Sequence, residues 1–249
     1  MGLSGQLKAV FFDFDGTLAD DGDSIRQALN LACAVINRRW PEIDATALAT
    51  AYRQVSDAAW GDYDRHLRHL VAPEAMLASV WRTALASWNV HDPDTEREAA
   101  AAYWNYRLQH CHPYPDVFPL LHDLSRRFPL YVLTNGAPEM QRAKVTASGL
   151  SSFFSLIFVG GDFPRGKPDQ AIFQAALTAA RCEPAQAVHI GDSLNHDIAG
   201  ARNVGVLSVW LNRKGMAAAM DSPAPDFEIS SLANLQKCLE SISPGNSED

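Results

Sequence analysis

The chain has 249 residues, a length that suits one large domain or a core domain with a smaller insert. Its composition, 47% hydrophobic and 20% charged residues, is typical of a globular protein that folds in water. The formal net charge is -8, and basic residues form no run longer than a pair. These features argue against nucleic acid or an acidic membrane as the principal partner, although a few local cations can hold a small anion.

Cysteine usage and apolar runs indicate the cell compartment. The four cysteines are far apart, which predicts neither a zinc cluster nor a redox dithiol, but free thiols in a reducing environment. The first apolar run, residues 9–12, is followed at once by Asp13 and Asp15, unlike a secretory leader. No apolar run has the length needed to span a membrane. We therefore expect a cytoplasmic protein.

Short apolar runs alternate with helical patterns along most of the chain. Buried strands are predicted at residues 9–12, 130–133, 156–159, 187–190 and 207–211. Helices are predicted between them at residues 116–127, 138–148, 168–181 and 195–203. Strands that alternate with helices pair in parallel through right-handed crossovers, which predicts a doubly wound, Rossmann-like α/β sheet.

One long segment interrupts this alternation. From Asp23 to about His112 the sequence has no strand pattern, only helical stretches rich in Ala, Leu, Arg and Trp. We therefore predict an α/β core of residues 1–19 and 113–242 and an inserted all-helical cap domain of residues 20–112. The tail, residues 243–249, has the composition of a disordered segment.

The first cluster of polar residues is Asp13-Phe14-Asp15-Gly16-Thr17, directly after the first predicted strand. Ligands of open α/β sheets collect at the carboxyl ends of the strands. Residues two apart in extended chain point the same way, so both carboxylates can face one ligand. Repulsion between them favours one ionised nucleophile or metal ligand and one proton donor. Taken alone, the pair is more typical of a turn or a helix cap than of a functional site.

The second and third clusters supply groups that suit a bound phosphate. Thr134-Asn135-Gly136 follows the strand at 130–133, and its hydroxyl and backbone N–H groups can hold phosphate oxygens. Lys167 precedes Pro168 at the start of a predicted helix, where an ammonium can neutralise a phosphoryl group and restrain a carboxylate. Taken alone, the second cluster is ordinarily interpreted as a strand-to-helix turn, and the third as a solvated lysine.

The fourth cluster, Gly191-Asp192-Ser193-Leu194-Asn195-His196-Asp197, follows the strand at 187–190. Asp192 lies where a hard oxygen ligand for magnesium is needed, and Asp197 can support the site from the next helix. Each cluster alone is a weak indication. All four in this order, each beyond a predicted strand, predict one site.

These motifs resemble those of the haloacid dehalogenase superfamily, in the subgroup whose helical cap follows the first motif. Asp13-x-Asp15-Gly16-Thr17, Thr134, Lys167 and Gly191-Asp192-x-x-x-x-Asp197 match the four family motifs in order over about residues 7–215. Further stretches resemble N-acylneuraminate-9-phosphatase-like proteins: Arg107-Leu108-Gln109-His110, Leu133-Thr134-Asn135-Gly136 with Gln141 and Lys144, Val159-Gly160-Gly161 and Val209-Trp210-Leu211-Asn212. Some of these resemble capped nucleotidases equally well.

The resemblance implies a mechanism. Asp13 attacks phosphorus and forms an aspartyl-phosphate, and Asp15 protonates the leaving alcohol and then deprotonates water. Magnesium is held by Asp13, the backbone carbonyl of Asp15, and Asp192, with Asp197 ordering the metal side. Thr134 and Lys167 bind phosphoryl oxygens, with Asn135 and Gly136 beside them. The cap excludes water and selects the leaving group.

Other reactions stay open at this point. A haloacid dehalogenase needs the aspartate nucleophile but no acid for a departing halide, so Asp15 favours phosphoryl transfer. A phosphomutase or a phospho-accepting module that does not turn over also fits parts of the pattern. The expected substrate is a small phosphomonoester, either a phosphosugar such as N-acylneuraminate 9-phosphate or a nucleoside monophosphate. We expect a monomer or homodimer, and interpret His66 and His69 as polar surface residues rather than a metal site.

Overall fold

The computed structural model describes residues 7–61 and 72–242, which divide into two compact units. The described part of the first unit is residues 7–20, 112–135 and 148–242, and that of the second is residues 21–61, 72–111 and 136–147. The sequence analysis placed 136–147 in the core domain, whereas the structure groups this segment with the second unit. The predicted tail 243–249 and the pair His66 and His69 lie outside the described residues.

The first unit is built on a six-stranded sheet in the order β3-β2-β1-β4-β5-β6, with every neighbouring pair parallel. The strands are β1 (Ala9–Phe12), β2 (Leu130–Thr134), β3 (Leu156–Val159), β4 (Ala187–Gly191), β5 (Leu207–Leu211) and β6 (Phe227–Ile229). The three central strands are buried along their whole length, as expected where helices cover both faces of a parallel sheet. The predicted doubly wound α/β fold is confirmed.

Nine α-helices are present in the described ranges. They are α1 (Gly22–Asn37), α2 (Ala45–Gly61), α3 (Pro73–Leu85), α4 (Pro93–Gln109), α5 (Val117–Leu124), α6 (Pro138–Ala147), α7 (Gln170–Ala180), α8 (Ala199–Val204) and α9 (Leu235–Ile242). A π-helical turn, Leu194–Ile198, leads into α8. None of these helices combines the length and the apolar character that crossing a membrane demands.

The second unit is helical wherever the structure describes it. Helix α1 packs along α4, α3 packs on α4, and α2 packs on α3. Pro93 opens α4, and the side chain of Asp92 caps it by accepting from the amides of Asp94 and Thr95. The tryptophans of this unit pack into its apolar core, Trp81 and Trp104 fully and Trp60 and Trp88 in part.

Candidate active site

The predicted site residues of the first unit gather at one edge of the sheet. Strand β1 lies between β2 and β4, with Phe12 in register with Val132 on one side and Ile190 on the other. The chain therefore leaves all three central strands at the same level. Asp13, Thr134 and Asp192 stand at these exits, at the carboxyl ends where α/β sheets bind ligands.

Lys167 joins two carboxylates beneath this edge. Its Nζ lies 2.6 Å from Oδ1 of Asp13, 2.6 Å from Oδ1 of Asp197 and 2.6 Å from the carbonyl oxygen of Leu133. All four residues are buried. The three protons of the ammonium are thus donated to protein oxygens, which fixes the Asp13 carboxylate in place. For Lys167 to contact a phosphoryl oxygen as well, one of its three ammonium protons must be shared between that oxygen and a protein oxygen.

The pKa values of Asp13, Asp197 and Lys167 are shifted in different directions. Burial raises the pKa of Asp13 from 3.8 to about 8, although Lys167 acts to lower it and Asp197 adds repulsion. Burial also acts to raise the pKa of Asp197, but Lys167 and His189 outweigh it and hold that pKa well below its usual range. Burial acts to lower the pKa of Lys167, which its two carboxylate partners nevertheless raise. Asp197 and Lys167 therefore form the ionised pair, and Asp13 lacks a full counter-charge.

Asp197 forms hydrogen bonds with several groups around Lys167. Its Oδ1 lies 3.0 Å from Nε2 of His189, and its Oδ2 accepts the backbone N–H of Ser193 at 3.0 Å. Burial lowers the pKa of His189, so the neutral ring donates to the carboxylate through Nε2. His189 is thus a hydrogen-bonded histidine of the buried core. Asp197 thereby ties Lys167, β4 and the loop after β4 together.

Replacing Gly191 with alanine is expected to disturb the packing around Asp197. A Cβ at residue 191 would lie 2.2 Å from Cγ of Asp197, and neither the buried carboxylate nor the strand has room to yield. We expect Gly191→Ala to lower the free energy of unfolding by about 2–3 kcal/mol and to reduce turnover, as chemical denaturation and phosphate release measure. Gly61→Ala is the matched control because its Cβ meets nothing within 4 Å. Equal stability of the two variants would contradict this packing argument.

Asn135 fixes the backbone beside Lys167. Its Nδ2 donates to the carbonyl of Lys167 at 2.9 Å, and its Oδ1 accepts the N–H of Lys167 at 2.7 Å. The hydroxyl of Thr134 lies 3.3 Å from the carbonyl of Asn135. Gly136 follows with φ +115° and belongs to the second unit. The structure thus gives Asn135 a positioning function that the sequence analysis did not anticipate.

The loops after β1 and β4 approach each other closely. Gly16 adopts φ +80°, and a Cβ there would lie 2.4 Å from Oδ2 of Asp192. Asp15, half-buried, precedes this turn, and Asp192 is exposed. Partial desolvation and the charge of Asp197 raise the pKa of Asp192 to about 6. Carboxylate oxygens of Asp13, Asp192 and Asp197 all lie within 4.8 Å of one another, so they have the donor chemistry of a divalent-cation site.

Two residues at the end of β5 support these loops, and the sequence analysis assigned no role to either of them. The indole Nε1 of Trp210 donates to the carbonyl of Asp192 at 2.9 Å. Arg213 donates to the carbonyl of Thr17 at 3.2 Å. Both stand where the apolar run of β5 ends, at the edge that carries the acids, so their place in the chain was the available indication.

Comparison with known proteins identifies the family. Residues 7–205 match the model of the haloacid dehalogenase-like hydrolases, and the chain belongs to this family. The chain is 29% identical to human N-acylneuraminate-9-phosphatase over 97% of each chain. It is also 29% identical to glyceraldehyde 3-phosphate phosphatase of Methanopyrus kandleri, over 90% of this chain and 93% of the relative. Family membership and these phosphatase relatives support a phosphatase, as the sequence predicts.

A solved structure of similar fold carries a different name. The chain is 30% identical to 2-haloacid dehalogenase from Pseudomonas syringae pv. Tomato DC3000, with a TM-score of 0.71. The match covers 95% of this chain and 99% of that one. The shared fold therefore leaves the choice between the two reactions to the residues of the site.

Proposed function

We propose that the chain is a magnesium-dependent phosphomonoester hydrolase that works through an aspartyl-phosphate on Asp13. The observation that carries the proposal is the Asp13 carboxylate itself, buried at the exit of β1 and held by Lys167 at 2.6 Å. A fixed, poorly solvated carboxylate is a suitable nucleophile once its charge is balanced. Asp15 and Asp192, on the two loops that approach each other, supply the other groups that the reaction needs.

The reaction consists of two displacements at phosphorus. In the first, an oxygen of Asp13 forms a bond to phosphorus while the ester bond breaks, and Asp15 gives its proton to the departing alkoxide. In the second, Asp15 takes a proton from water, whose oxygen attacks phosphorus and releases Asp13 and inorganic phosphate. Asp15 ends protonated, as it began. Thr134, Lys167 and the backbone at Asn135 hold the phosphoryl oxygens.

The residues present fit magnesium. Carboxylate oxygens of Asp13 and Asp192 are hard donors of the kind that this ion prefers, and they would hold it together with the backbone carbonyl of Asp15. Asp197 already accepts from Lys167, His189 and Ser193, which suits an orienting position better than a direct ligand. When bound, the ion supplies positive charge that offsets the carboxylates and the phosphoryl oxygens.

Without magnesium, stability should fall as the pH rises from about 7 to about 8.5. The folded-state pKa of Asp13 is raised, so its contribution is full below 3.8 and disappears as the pH passes through about 8. His189 is neutral in both states within this range, and Asp197 is ionised in both. Thermal unfolding in the presence of a chelator measures the fall, which added magnesium should reduce. A fall of equal size in Asp13→Asn would refute the assignment of the slope to Asp13.

The proposed substrate is a small phosphorylated metabolite in the cytoplasm, acted on by a monomer or homodimer. A phosphosugar such as N-acylneuraminate 9-phosphate is supported by the relative that matches 97% of the chain, and a nucleoside monophosphate is the other class. The test is phosphate release from a panel of sugar, nucleoside and triose phosphates, with and without magnesium. We expect magnesium-dependent release and preference for one ester. Absence of release from every ester with magnesium present would refute the proposal.

A dehalogenase is the second candidate because of the 30% identical structure of that name. Asp15 opposes it, since halide leaves without a proton and an alkoxide does not. The discriminating experiment incubates the protein with 2-chloropropionate and measures chloride beside the phosphate panel. Chloride release without phosphate release would favour the dehalogenase.

A further inference from the structure

Arg213 lies two residues beyond the end of β5 and is held by a carboxylate and a ring. Its Nη1 and Nη2 each donate to one oxygen of Asp116, both at 2.9 Å. The guanidinium carbon stands 4.0 Å from the centre of the Tyr114 ring, a cation–π distance. A bidentate pair that also stacks on an aromatic face fixes the orientation of the side chain, not just its charge.

Asp116 is itself fixed from a third segment of the first unit. Its Oδ2 accepts the hydroxyl of Ser231 at 2.7 Å and the backbone N–H of Leu232 at 2.9 Å. Burial acts to raise the pKa of Asp116, but hydrogen bonds from Arg213, Ser231 and Leu232 hold it below its ordinary value. The carboxylate therefore stays ionised and presents Arg213 with a rigid anchor.

The guanidinium has one further bond, and it reaches the loop that carries Asp15. Nη2 of Arg213 donates to the carbonyl of Thr17 at 3.2 Å, and the N–H of Tyr114 donates to the next carbonyl, that of Leu18, at 3.0 Å. Within the loop, the N–H groups of Gly16 and Leu18 donate to the carbonyls of Ala19 and Phe14. The carbonyls two and three residues after Asp15 are thus held from outside the loop.

We propose that Arg213 is a positioning residue for Asp15, an inference that rests on the proposed function. Held by Asp116 and Tyr114, it anchors the carbonyl two residues past the acid and so sets where the Asp15 carboxyl stands relative to the leaving oxygen. A proton must pass over hydrogen-bond distance, so a small displacement of Asp15 slows protonation. Lysine cannot reproduce the function because an ammonium lacks the planar fork.

The test uses the dependence of the rate on the leaving group. In Arg213→Lys, kcat/KM for the alkyl phosphate that the wild type hydrolyses fastest should fall by about 10-fold or more, since an alkoxide needs the proton. For p-nitrophenyl phosphate, whose leaving group departs without one, it should fall by less than about 3-fold. Arg202→Lys is the matched control, because Arg202 donates to the carbonyl of Ala224 near Asp226, at the opposite edge of the sheet.

A second measurement needs no turnover. Hydrogen exchange of the amides of Gly16 and Leu18 should accelerate in Arg213→Lys and remain unchanged in Arg202→Lys. Equal losses for both esters, or unchanged exchange in this loop, would overturn the positioning function. If the wild type hydrolyses neither ester, the proposed function fails, and exchange alone then decides whether Arg213 orders the loop.

Discussion

Asp13→Asn is expected to abolish phosphate release, with kcat/KM lower by a factor on the order of 10⁴ or more. The amide keeps the size of the side chain but has no anionic oxygen to attack phosphorus. It also removes one of the two carboxylates that share Lys167, so the folded state should be as stable as the wild type or more stable. Phosphate release and thermal unfolding, measured on the same preparation, separate the two effects.

Asp123→Asn is the matched control for this substitution. Asp123 lies on α5, half exposed, where it pairs weakly with Arg127 at 3.7 Å. Its replacement should change neither turnover nor stability appreciably. Robust magnesium-dependent turnover by Asp13→Asn, with the control behaving as the wild type, would remove Asp13 from the reaction.

Lys167→Met is expected to lower the free energy of unfolding by about 3–5 kcal/mol near pH 8, and to abolish turnover. The substitution leaves two buried carboxylates, Asp13 and Asp197, close together without the ammonium that bridges them. The loss should be smaller near pH 6, because Asp13 then binds a proton more readily. Denaturant titration at the two pH values measures the difference.

Two further variants make the result specific. Lys237→Met changes an exposed lysine of α9 and should leave stability within about 0.5 kcal/mol of the wild type. The double variant Lys167→Met/Asp13→Asn should recover part of the loss, because one of the two buried carboxylates that repel each other is gone. A loss below about 1 kcal/mol in Lys167→Met, or no recovery in the double variant, would show that the bridge is not what stabilises this site.

Five of the six strands were predictable because buried strands are rich in apolar residues. Ala9–Phe12 is a continuous apolar run, as a strand covered on both faces requires, and it occupies the predicted residues, as do Leu156–Val159 and Leu207–Leu211. Strand β6 escaped prediction because it has three residues, one of them the charged Glu228, beyond a loop rich in Pro and Ala. The π-helical turn at Leu194–Ile198 likewise has no periodicity that distinguishes it from an α-helix.

The candidate site was predictable residue by residue, but its connections were not. Asp13, Lys167 and Asp192 are polar residues beyond predicted strands, so their place at the sheet edge follows from the fold. The pairing of Lys167 with Asp197 depends on strand order and side-chain direction, which no local pattern encodes. The same holds for Arg213, which contacts Thr17 across 196 positions of chain.

The central claim is that the phosphoryl group passes through Asp13. The most direct measurement is acid quenching of the protein during turnover of p-nitrophenyl phosphate with magnesium, followed by borohydride reduction and mass spectrometry of its peptides. An acyl phosphate is reduced by borohydride, so the account predicts that Asp13 is converted to homoserine in the presence of substrate and remains aspartate in its absence. Conversion of another carboxylate, or unmodified Asp13 while phosphate is being released, would contradict it.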